Sequence, residues 1–252
     1  MRRAWVFFIL PLLAAFLGCD STEEQSSTPA VAKAECRRAT GRIKIDGVLD
    51  EVAWERAPVL KDFAVSWQNR KPKTATTARL LWDDDYLYFC AEMEDEDLCA
   101  NVRERNGMTW YDDVFELFFK PATNKHTYYE FQVNPLNTQL ELLLPSRGAG
   151  GYHRFAPITR LGMESAVQLR GTLNNWEDKD KGWTVEGRIP WTAFKATGGR
   201  PQPGDKWRFA LCRYDYSVSF ETPELSSSAP LKQADFHHYE DYGELTFVGA
   251  GN

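Results

Sequence analysis

The chain has 252 residues, 43% of them hydrophobic and 26% charged, and its 36 Asp and Glu outnumber its 30 Lys and Arg for a net charge of −6. That balance argues against nucleic acid as a partner, because a phosphate backbone rewards basic stripes and none is present. Fifteen Phe, ten Tyr and nine Trp supply enough aromatic surface for one sizeable core.

Arg2 and Arg3 precede an apolar run from Trp5 to Leu17. The run is shorter than the roughly 18 to 20 residues that cross a bilayer, and it reads as the core of a signal peptide over residues 1–18. It closes on "FLGC", which resembles the bacterial lipobox, whose cysteine is lipidated and becomes the new N-terminus; here that residue is Cys19. The protein is therefore expected in the cell envelope, lipid-anchored to a membrane and facing the periplasm or the exterior. The polar stretch that follows has too few large apolar residues to offset the entropy of ordering it, so residues 19–39 are expected to form a flexible tether. Residues 40–252 are dense in aromatic and β-branched residues and read as a single domain without internal repeats.

Within that domain, strand signals dominate. In chain order they are "RIKID", "TARLLWD", "YLYFCAEM", "DVFELFFK", "TYYEFQVN", "TQLELLL", "SAVQLRG", "WTVEGRIP", "KWRFALCRYD" and "GELTFV". A period of two assigns faces. Leu87, Phe89, Ala91 and Met93 fall together, as do Phe115, Leu117 and Phe119, and Tyr129, Phe131 and Val133. Glu116, Glu130, Gln132 and Asn134 lie on the opposite, mixed face, and Leu140, Leu142 and Leu144 are expected to form the apolar side of their strand. Helical signal is confined to "LDEVAWERA" and a turn at "PWTAF", and Pro145 to Arg160 reads as a long loop. The expected fold is all-β, an antiparallel β-sandwich of jelly-roll or DOMON-like type with one or two short helices. Cys36, Cys90, Cys99 and Cys212 allow three disulfide pairings that spacing does not separate, and no C-x-x-C is present.

The ordered series "IKIDGVLDEVAWERA", "ARLLWDDDYLYFCAEMED", "WYDDVFELFF", "FQVN", "GWTVEGRIPW", "WRFALCRYD" and "FHHYEDYGELTF" resembles the family 9 carbohydrate-binding modules over nearly all of Ile43 to Val248. The resemblance implies a β-sandwich in which two aromatic rings close over a sugar while polar side chains bind its hydroxyls. On this pattern Trp110 and Phe236 are the ring contacts, and Asp113, Glu116, Gln132 and Asn134 the polar contacts. Gln132 stands where well-known members carry arginine, and Phe236 where they carry a second tryptophan. Such a set suits a pyranose, which offers an apolar C–H face and a rim of hydroxyls. The implied function is non-catalytic binding of polysaccharide or oligosaccharide chains in support of carbohydrate catabolism, with a glycoside hydrolase as a compatible partner.

Two further readings compete with it. Abundant acids allow a glycan-processing enzyme that hydrolyses O-glycosyl bonds, through Asp113 or Glu116 paired with Glu130 or Glu141; Asp112 and Asp113 are adjacent and point to opposite faces. The other reading is an envelope scaffold or haem-binding domain, although the Met and His spacing supplies no ligand pattern. No serine-hydrolase or zinc-hydrolase signature occurs. No cofactor is expected, although the resemblance is compatible with structural calcium at the acid runs Asp83–Asp85, Met93–Asp97 or Glu177–Asp180; none has EF-hand spacing, and solvated turns explain each. Asp46, Asp50 and Glu51 are expected to form a turn and cap the short helix.

Overall fold

The computed structural model describes residues 32–249; the expected signal peptide and Cys19, the expected lipidation residue, lie outside them. Eleven strands form one mixed sheet: β1 (Lys33–Arg38), β2 (Thr76–Trp82), β3 (Tyr86–Met93), β4 (Val114–Lys120), β5 (Tyr128–Val133), β6 (Gln139–Leu144), β7 (Glu164–Leu169), β8 (Trp183–Pro190), β9 (Lys206–Asp215), β10 (Glu224–Ser227) and β11 (Gly243–Val248). The hydrogen-bonded order is β6-β5-β4-β9-β11-β1-β2-β3-β8-β7, with β10 branching from β9. Among the described residues, no helix is long and apolar enough to cross a membrane.

The sheet curls so that its two halves face one another across a shared core. The inward sets are those the alternation marks: Leu87, Phe89 and Met93 from β3 meet Phe115, Leu117 and Phe119 from β4, with Phe131, Val185, Leu211 and Phe247. Trp82, Trp191, Trp207 and Phe247 pack edge to face at centroid distances of 4.8–6.3 Å, a geometry that the ring quadrupoles favour. Gly187 on β8 makes room for this packing, since a Cβ there would lie 2.2 Å from the Phe89 ring.

Four features depart from the sequence expectation. The tether ends earlier than expected, because Lys33–Arg38 form β1, paired in parallel with both β11 and β2. Burial along "KAECRR" alternates, with Ala34, Cys36 and Arg38 less exposed than Lys33, Glu35 and Arg37, but only Cys36 is fully buried, and backbone bonds hold the strand on both edges. The other strand pairings are antiparallel, as expected for the all-β sandwich, and these two are the parallel exceptions. "RIKID" is not a strand: the Lys44 amide donates to Glu51 Oε1, and the Asp46 and Gly47 amides donate to Glu186 Oε2, so side chains replace a strand partner. β10 carries no alternation signal and was not expected.

The first helix, α1 (Val52–Glu55), packs Trp54 on Leu81, Tyr88 and Cys90, on the outer face of β2 and β3. Glu51 occupies its N-cap position but makes no side-chain cap bond, its Oε1 instead accepting from the Lys44 amide. Asp46 does form the expected turn, accepting from the Val48 amide beside Gly47, whose φ is +81°. The expected loop 145–160 contains α2 (Gly151–Phe155), and "PWTAF" is a 3₁₀ turn, Trp191–Thr197.

In β6 the apolar set takes an unexpected partner. Leu140 pairs with Gln132, Leu142 with Glu130 and Leu144 with Tyr128, so the leucines share the polar outer face of β5. Glu141 consequently points the other way, where it is fully buried and takes the Leu161 and Met163 amides and the Arg105 guanidinium.

Candidate functional site

The outer face of β4, β5, β6 and β9 is roofed by α2 and by the segment 228–242, which build a second apolar cluster around Phe118, Tyr128, Leu142, Cys212 and Phe236. Between floor and roof lies an open cavity of about 440 Å³, lined by Trp110, Glu116, Glu130, Gln132, Tyr152, Phe236 and His237 among others.

Trp110 sits in a 3₁₀ turn, Thr109–Tyr111, that leads into β4. Two acids behind it hold that turn. Asp112 accepts from the Asn101 and Val102 amides, and Asp113 from the Cys99 and Tyr216 amides, while the Tyr216 hydroxyl donates to the Trp110 carbonyl at 2.8 Å. The indole meets Tyr152 edge to face at 4.8 Å.

Four of the six ligand residues expected from sequence therefore line one cavity: Trp110, Glu116, Gln132 and Phe236. Asp113 and Asn134 do not. Asp113 is fully buried with both oxygens bonded to backbone, and Asn134 donates to Val102 O and Asp112 Oδ2 while accepting the Leu136 and Thr138 amides. Their polar atoms are spent on holding loops, which corrects their assignment as hydroxyl contacts. Phe236 is 4% exposed and wedged by Tyr214, Phe118 and Trp67, so it forms a wall within a packed cluster and offers no free ring face.

Glu130, Tyr152 and His237 were absent from the expected set. Alternation with Gln132 points to Glu130; Tyr152, from a distant loop, carries no local signal.

Electrostatically the floor is unusual. Glu116 and Glu130 are 2% and 3% exposed, and Glu116 Oε1 and Glu130 Oε2 have no hydrogen-bond partner. Burial, then repulsion from Glu130, pushes the Glu116 carboxyl well above the usual range. Glu130 is also raised by burial, opposed by His237 and by the bond from Gln132 Nε2 to its Oε1 at 2.6 Å. The Gln132 carbonyl accepts from the Thr109 hydroxyl, so its amide orientation is set from both ends. Of the carboxyl pairs considered for hydrolysis, Glu116 with Glu130 is the one that lines the cavity, and both rise from one floor.

The acid runs considered for calcium are engaged otherwise. Asp83 takes the Asp85 and Tyr86 amides, Asp84 pairs with Arg38 and Arg200, and Asp180 takes the Leu98 and Thr172 amides. Among the described residues one group of three carboxylates gathers, Asp95, Asp113 and Asp215, all buried. Arg213, 1% exposed, lies among them at 3.0 Å from Asp95 and 3.4 Å from Asp215; Asp215 also accepts from Thr74, and Asp95 from the Asp97 amide. With a guanidinium already present and the oxygens bonded, this set fits an ion-pair network and does not fit a calcium ion.

Comparison with known proteins agrees with the architecture. A 158-residue stretch is 29% identical to endo-1,4-beta-xylanase A of Thermotoga maritima, covering 61% of this chain but 12% of that enzyme. Exoglucanase XynX of Acetivibrio thermocellus is 26% identical over 160 residues, 62% of this chain and again 12% of the enzyme. A family 9 carbohydrate-binding module from Caldicellulosiruptor kristjanssonii, solved in complex with cellotriose, shares the fold with a TM-score of 0.59 at 18% identity, over 87% of this chain and 95% of that one. Residues 45–250 match the family described as Carbohydrate family 9 binding domain-like, and the chain belongs to that family.

Proposed function

We propose that this protein binds saccharide chains without cleaving them, in the cavity between Trp110 and the floor of β4 and β5. The observation that carries the reading is the pair of buried, unpartnered oxygens on Glu116 and Glu130 beneath an aromatic wall. A pyranose satisfies both requirements together, its C–H face lying on the indole and its hydroxyls donating to the carboxyl oxygens. The family supports this reading, with members solved in complex with cellotriose and with glucose.

In this reading a lipid on Cys19 tethers the domain to an envelope membrane, facing the periplasm or the exterior. There it retains polysaccharide fragments for a separate glycoside hydrolase. The xylanase and exoglucanase relatives support such a pairing, since the matching stretch occupies only a small part of each enzyme.

The test is affinity electrophoresis of the full chain through gels containing β-1,4-glucan or xylan. Retardation is expected, and Trp110→Ala should weaken it by about 1.5–3 kcal/mol, the scale of one buried aromatic side chain. Equal mobility of wild type and variant in every gel removes the site.

A further inference from the structure

Resting on that saccharide reading, we propose that the cavity selects a sugar carrying a free amine, an amino sugar in its ammonium form, over a neutral one. Glu116 and Glu130 project from the same floor and line the cavity, and each carries a buried oxygen without a hydrogen-bond partner. The side chain between them in the ladder, Gln132, is neutral, and its amide is already committed to Glu130 and Thr109.

Among the described residues, no lysine or arginine is paired with either floor glutamate. Arg147, on the rim, is paired with Glu240 at 2.6 Å. Farther along the same face, Lys120 donates to the Ala122 and Lys125 carbonyls and Arg208 to the Tyr242 carbonyl. His237 Nδ1 stands 3.9 Å from Glu130 Oε2, but it lies 3.0 Å from the Tyr128 hydroxyl and does not reach Glu116 by any hydrogen bond. Asp235 lines the same cavity and adds a third acid.

A buried charge is costly unless it is paired and hydrogen-bonded. A neutral sugar supplies hydroxyl donors while sealing these carboxyls further from water, which only strengthens the protonated, uncharged form that burial already favours. An ammonium group supplies three donors and the missing positive charge together, and charge-assisted bonds are about twice as strong as neutral ones. The aromatic walls suit the same ligand, because ring faces attract cations as well as C–H groups.

The experiment is calorimetric titration of the full chain with three β-1,4-linked tetramers that differ only at C2: glucosamine, N-acetylglucosamine and glucose. Methylammonium serves as the amine without a sugar. The glucosamine tetramer is expected to bind at least tenfold more tightly than either neutral tetramer. That gap should close in Glu116→Gln, and in Trp110→Ala, where attraction to the acidic surface at large persists. A gap that survives both substitutions places the amine elsewhere and overturns the proposal. Neutral tetramers binding as tightly as glucosamine overturn it too, while the saccharide reading stands. Methylammonium binding as tightly as the tetramer overturns the role of the sugar ring, and a failure of every tetramer to bind removes both readings.

Discussion

Glu116 pairs with Gln132 across β4 and β5, and Glu130 pairs with Phe118, so the two glutamates sit diagonally on one face of neighbouring strands. Diagonal neighbours in an antiparallel pair are close enough for long side chains to interact. Their proximity under a roof adds mutual repulsion to the larger effect of burial in raising the Glu116 carboxyl.

That relationship fixes a pH dependence. A carboxyl raised by folding keeps its proton in the folded state after the unfolded chain has lost it. Above the ordinary glutamate value of 4.5 the folded state therefore binds more protons, and stability falls as pH rises toward the raised value. Glu116→Gln removes this contribution. Melting temperatures of the variant, taken relative to wild type, should climb as pH increases above 4.5; parallel curves for the two proteins would show that Glu116 titrates normally.

Arg213 is the buried cation of the Asp95, Asp113 and Asp215 group. Burial raises Asp95 to about 6 even with Arg213 opposing the shift, and it raises Asp113 and Asp215 as well. Arg213→Met leaves these carboxyls without their counter-charge and is expected to cost about 3–5 kcal/mol, read from urea midpoints. The loss should be larger at pH 8 than at pH 5, where protonation relieves the unpaired charge. A pH-independent loss would mean that the arginine acts through packing alone.

The described cysteines are all free, and their placement explains why. Cys36 lies in the core between the sheet halves, Cys212 under the cavity roof and Cys90 beneath α1, so the sheet itself separates them. Cys99 is half-buried, with its thiol pushed up to about 11 by burial and neighbouring aspartates. Alkylation without reductant, followed by peptide mapping, should label all four after denaturation and Cys99 first under native conditions. A disulfide-linked peptide pair would contradict this packing.

The ring and floor residues were partly legible before any coordinates. A period of two places Glu116 and Gln132 on one face, the family signature marks Trp110, and the structure brings all three to one cavity with Phe236. Asp113 and Asn134 matched the same signatures yet serve loops, because a carboxyl or amide takes whichever donors folding brings nearest, here the Cys99, Tyr216, Leu136 and Thr138 amides.

What the chain determines by itself is local: alternation sets the inward faces of β3, β4 and β5, and those faces form the core. Tertiary structure alone decided that β1 lies between β11 and β2, that "RIKID" is not a strand, and that the leucines of β6 lie beside Tyr128, Glu130 and Gln132 of β5. The physical reason is that a two-residue period separates two faces without saying what covers either. Whether an outward glutamate meets water, an arginine or an enclosed cavity depends on segments such as α2 and 228–242, distant in sequence and joined to the floor only by folding.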